Sequence, residues 1–182
     1  YVGRVSKEKN LQLLADAFID ITDAGYRSAL IVVGDGAFRN ELEHLLNGYP
    51  VLFTGFLSGD ELSTIYASSD VFVFPSTTDT FGNVVLEAQS SGIPVIVSDE
   101  GGPKELMVDG KTGLVIKAHS KTALVDALTF FLRDKNNRAF MGSNARNFAE
   151  TNGITAYEAY HTILNTHAKI EERCTTEDFV QV

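Results

Sequence analysis

VFVFPSTTDTFGNVVLEAQSSGIPVIVSD, residues 71–99, holds a strand, a helix and a second strand in one short stretch. VFVFPS (71–76) and PVIVSD (94–99) are apolar at successive positions rather than alternating. That pattern fits strands buried on both faces, as in a parallel sheet covered by helices. Between them Phe81, Val84, Val85 and Ala88 recur at helical spacing, and Thr80 or a neighbour is placed to cap the helix. Gly92 and Pro94 end it. Asn83, Glu87 and Ser91 fall on a separate polar stripe.

The same alternation extends in both directions. SALIVVG (28–34), VLFTG (51–55) and TGLVIKA (112–118) read as further strands, and another ends at Val2–Gly3. Leu11, Leu14, Ala15, Phe18 and Thr22 form a helical stripe, with Ile21 beside them. Ser58 to Glu61 reads as a capping box, in which hydroxyl and carboxylate satisfy the first amides of a helix. After Lys117 the pattern is helical over about 120–133, 135–148 and 153–171. The expected fold is α/β: a doubly wound, Rossmann-like three-layer domain with a mostly parallel sheet of about six strands and a helical C-terminus. It is expected to occupy residues 1–171, with 172–182 as a flexible tail.

Composition sets outer limits. The 182 residues are 44% hydrophobic and 21% charged, as in a globular domain with a real core. No apolar run approaches the roughly 18–20 residues that span a bilayer. The opening YVGRVSKEKN is not a signal peptide and reads as a strand already under way, so a larger protein is expected around it. Net charge is −9, which argues against nucleic acid as a partner. It also makes the cations near loops stand out: Arg4, Lys7, Lys9, Arg39 and Lys104 are better matched to a small anion. The single cysteine, Cys174, points to a reducing compartment. His44, His119, His161 and His167 lack metal-ligand spacing.

In doubly wound sheets ligands sit beyond the carboxyl ends of the strands. Five segments there carry candidate chemistry. In GRVSKEKN (3–10), Arg4 and Lys9 flank a turn at a helix start, a suitable diphosphate pocket or a plain solvated turn. In VGDGAFRNELE (33–43), Gly34 and Asp35 follow a strand. The third glycine of a dinucleotide fingerprint is absent, and the segment is equally a tight strand-to-helix turn. In VLFTGFLSGDEL (51–62), the backbone of Phe56 and Leu57 can meet a flat base, with Phe56 as core the alternative. In the fourth, Asp79 and Glu87 bracket a helix start whose amides at Phe81, Gly82 and Asn83 can hold an anion. In the fifth, Gly101, Gly102 and Pro103 form a loop before a short helix, with Lys104 and Glu105 at a pocket edge, and DGKTG (109–113) reads as a hairpin-like turn.

Together these segments resemble the C-terminal domain of family 4 glycosyltransferases, retaining enzymes of the two-domain GT-B fold. The resemblance runs from GRVSKEKN to about residue 165. The family signature, two glutamates separated by seven residues around Phe-Gly, reads here as DTFGNVVLEA, with Asp79 in place of the first glutamate. The resemblance implies transfer of a sugar from a nucleoside-diphosphate sugar to an acceptor hydroxyl, with no cofactor and no metal. It makes Asp79 and Glu87 the candidate catalytic pair: Asp79 meets the transferred sugar's hydroxyls and Glu87 the ribose. Arg4 and Lys9 hold the diphosphate, helped by the backbone of Thr80, Phe81, Gly82 and Asn83. Gly34, Asp35, Phe56 and Leu57 complete the donor site. The implied partner is an N-terminal acceptor-binding domain of the same protein, through which alone a membrane is met. The implied location is the cytoplasm or its membrane face. A nucleotide-sugar epimerase and a non-catalytic nucleotide-binding module are the alternatives. The DTFGNVVLEA element disfavours the first, and Asp79 is the support for the second.

Overall fold

The structure, a computed structural model, describes residues 1–151. The expected helix at 153–171, the tail 172–182, His161, His167 and Cys174 lie outside the described residues.

Among the described residues five strands form, all pairing in parallel: β1 (Leu30–Val33), β2 (Val51–Gly55), β3 (Phe72–Phe74), β4 (Val95–Ser98) and β5 (Gly113–Ile116). β1 pairs with β2, and β4 lies between β3 and β5. The sixth expected strand is reduced to a bridge, Val2 to Val33, parallel to β1. Tyr1 carries this segment towards β3 by stacking on Phe74, ring centroids 5.9 Å apart. DGKTG forms a turn closed by Gly110 N–H to the Gly113 carbonyl, 2.9 Å, but it leads into a parallel strand and is no hairpin.

The helices are α1 (Leu11–Asp23), α2 (Arg39–Leu45), α3 (Gly59–Ala67), α4 (Asn83–Ser90) and α5 (Lys121–Arg133). A sixth, α6, starts at 135 and continues through 151. α1 and α5 pack together. Leu11, Leu14, Ala15, Phe18 and Ile21 of α1 are buried, whereas Thr22 returns its hydroxyl to the Phe18 carbonyl. β4 is buried along its whole length, as its unbroken apolar run requires. β2 differs, because only β1 pairs with it and Leu52 is exposed.

Two expected caps do not form. Ser58 does occupy the N-cap of α3 but makes no side-chain cap bond. α4 begins after Gly82, held in the left-handed region at φ 95°, so Thr80 is not its cap. Phe81 consequently precedes the helix and is 50% exposed rather than part of its apolar face. That face is Val85, Ala88 and a fully buried Gln89.

Candidate functional site

Four loops meet at the carboxyl ends of the strands. The first leaves the N-terminal bridge through Gly3 and Arg4, passes a 3-10 turn at Lys7–Lys9, and enters α1 at Asn10, whose φ is 57°. It zips onto the loop after β1: Val5 N–H donates to the Asp35 carbonyl (2.9 Å) and Phe38 N–H to the Val5 carbonyl (3.0 Å). A Cβ at Gly34 or Gly36 would overlap the carbonyl of Gly3 or Val5. Packing of loop on loop therefore accounts for these glycines without a ligand.

The loop after β3 is stitched to the first loop. Asn10 Nδ2 donates to the Pro75 carbonyl at 3.4 Å, and Lys9 Nζ lies 2.7 Å from Asp79 Oδ1. Only 12% of the Lys9 side chain and 23% of the Asp79 side chain are exposed. Asp79 Oδ2 is buried and has no donor among the described residues. A second layer sits behind it. Gly102 N–H donates to the Asp79 carbonyl at 2.8 Å, and a Cβ at Gly102 would land on the Thr80 carbonyl. Gln89 Nε2 anchors the following 3-10 turn, Pro103–Leu106, by donating to the Leu106 carbonyl at 2.7 Å. Sequence reasoning missed Gln89, although its position one turn beyond Val85 on the buried stripe is a legible signal.

α4 points its N-terminus into the same corner. Its first amides, Asn83 and Val84, precede the first intrahelical bond, from Val85 N–H to the Gly82 carbonyl. This is a favourable end for an anion. Glu87, on the exposed side of α4, accepts a hydrogen bond from the Tyr66 hydroxyl at 2.9 Å. The two helices α3 and α4 border an open pocket of about 590 Å³ lined by Leu62, Ser63, Tyr66, Asn83, Glu87 and Ser91, among others.

The remaining candidates fall around this corner. Arg4 is 70% exposed and only loosely paired, 3.8 Å from Glu8. Phe56 is 83% exposed at the exit of β2, so it is not core, and Leu57 is half-buried beside it. Arg39 is engaged by Glu43 (2.8 Å) and Asp35 (3.3 Å), and the hydrogen bond to Glu43 holds its guanidinium firmly charged. Lys104 Nζ donates to the Asp99 carbonyl at 2.7 Å, and Lys7 pairs with Glu41. Of the five cations, Lys9 is the one bound to Asp79, and Arg4 keeps the loosest pairing. His44 and His119 are exposed.

A buried lysine–aspartate pair and a helix N-terminus at the strand ends of an α/β domain are features suited to a small anion. Residues 1–148 match the glycosyl transferases group 1 family. The chain belongs to that family and has the GT-B type of Rossmann-like domain. It is 40% identical over 153 residues to the sulfoquinovosyl transferase of Arabidopsis thaliana, covering 82% of this chain and 29% of that protein. It is 38% identical to a GDP-mannose-dependent alpha-mannosyltransferase of Mycolicibacterium smegmatis, covering 74% of this chain and 34% of the relative. The chain therefore spans about a third of the length of these curated relatives. Among solved structures it resembles the C-terminal domain of a group 1 glycosyl transferase from Francisella tularensis, with 26% identity, a TM-score of 0.74 and 82% of each chain covered. It also resembles the HepE protein of Anabaena in complex with UDP-glucose, with 25% identity and a TM-score of 0.80, over 91% of this chain and 47% of that one. Among the described residues no helix is long and apolar enough to cross a membrane.

Proposed function

We propose that this domain binds the nucleoside-diphosphate sugar of a retaining hexosyltransferase, and that an N-terminal domain of the same protein supplies the acceptor hydroxyl. The reaction site is then the cleft between the two halves, on the cytoplasmic side. The observation that carries the reading is the Lys9–Asp79 pair with its orphaned Oδ2. An ammonium has three donors and Asp79 takes one, which leaves two for phosphate oxygens. A buried carboxylate oxygen without a donor is costly, and a sugar hydroxyl would donate the missing hydrogen bond.

The rest of the corner fits the chemistry. As the glycosidic bond breaks, its electron pair passes to the diphosphate and negative charge grows there. Lys9, Arg4 and the first amides of α4 oppose that charge. Glu87 faces the pocket edge where ribose hydroxyls would lie. Phe56 and Leu57 present backbone to the base from the exit of β2. No resident cofactor is proposed.

Calorimetric titration with UDP, GDP, ADP and NAD tests this. One nucleoside diphosphate should bind, more tightly than NAD, with no sugar transfer by the isolated chain. Preference for NAD, or no nucleoside diphosphate bound at millimolar concentration, would overturn the reading.

A further inference from the structure

Tyr66 of α3 is buried, with its ring tilted against Phe72 of β3 at 5.8 Å between centroids. Its hydroxyl reaches across to α4 and donates to Glu87 Oε2 at 2.9 Å. The chemistry set out above does not use this phenol. A buried tyrosine hydroxyl requires a polar partner, and Glu87 satisfies it. The consequence for Glu87 is larger than for Tyr66. Glu87 stands on the exposed side of its helix, at the edge of the α3–α4 pocket. A free glutamate there samples several rotamers, and holding it still costs side-chain entropy. The bond from Tyr66 fixes Oε2 in advance and leaves Oε1 to meet a ligand. Burial and the charge of Glu87 push the phenol above its ordinary range, so it remains a donor at working pH.

We propose that Tyr66 is a positioning residue, which presets the Glu87 carboxylate for the ribose hydroxyls of a nucleoside diphosphate. The proposal rests on the donor-site reading of Glu87 above. The side chain is missed by a motif search because it lies 21 residues from Glu87 and belongs to another helix. It joins the nucleotide only through Glu87.

Tyr66→Phe keeps the ring and its contact with Phe72 while removing the hydroxyl. The 182-residue chain and this variant are titrated with UDP, GDP and ADP and with the 2′,3′-dideoxy form of each. Loss of one hydrogen bond predicts about a three- to tenfold weaker ribonucleotide. The dideoxy nucleotide, which has no ribose hydroxyl for Glu87, should bind both proteins equally. Adding Tyr66→Phe to Glu87→Ala should bring no further loss. Equal weakening of ribo and dideoxy forms, or no weakening of either, would overturn the positioning role and leave the donor site standing. Failure of wild type to bind any of UDP, GDP and ADP would instead remove the donor-site reading and this proposal with it.

Discussion

Arg4 and Lys9 lie five residues apart on one loop, yet the fold treats them differently. Lys9 is nearly buried and held at 2.7 Å by Asp79, whereas Arg4 is open to solvent with Glu8 at 3.8 Å. One cation belongs to the architecture of the corner and the other waits at its rim. In the proposed donor site, the difference separates two ways of holding an anion. Lys9 is preorganised, so little side-chain freedom is lost on binding. Arg4 must be ordered by the ligand, but brings a planar fork suited to phosphate oxygens.

The largest expected effect comes from breaking the buried member. Lys9→Ala strands Asp79 and should destabilise the domain by about 2–4 kcal/mol, somewhat below the range for fully buried pairs because both side chains keep some exposure. Urea unfolding measures this. Lys9→Met with Asp79→Leu should recover most of that stability while nucleotide binding stays lost, which separates the structural role from the binding role. Arg4→Ala should change stability by less than about 0.5 kcal/mol. It should weaken a nucleoside diphosphate by roughly tenfold, as expected for a charged hydrogen bond. Equal stability losses for the two cations would erase the contrast.

The smallest effect lies on the loop after β4. Asp99 accepts from Ala118 N–H and from Lys117, which holds its carboxyl below the ordinary 3.8. A carboxylate with a lowered folded pKa contributes stability above its unfolded value and loses it as pH falls through the folded one. Asp99→Asn should therefore be less stable than wild type at pH 7, and the gap should narrow below about pH 4. Thermal melts of both proteins at the two pH values check this, with nucleotide affinity unchanged.

The strands were legible because each is a run of apolar residues that a doubly covered sheet demands. β4 is the plainest case, every residue buried as its sequence requires. The loops that follow them were legible as places, and Lys9 and Asp79, 70 residues apart, meet there as an ion pair. What escaped were the contacts between distant segments. Gly82, rather than Thr80, opens α4, in a loop braced by Gly102 and Pro103 some twenty residues further on. Gly34 and Gly36 answer to the backbone of Gly3 and Val5, and no local pattern reports that approach. Nothing local in α3 marks Tyr66, whose hydroxyl donates to Glu87, 21 residues further on.

The most direct test of the corner is to follow backbone amide resonances while a nucleoside diphosphate is added. The account predicts the largest shifts at Arg4–Lys9, at Phe56 and Leu57, and at Asn83 and Val84 where α4 begins. Shifts concentrated at the opposite, amino ends of the strands, with Asn83, Val84 and Lys9 unmoved, would contradict it.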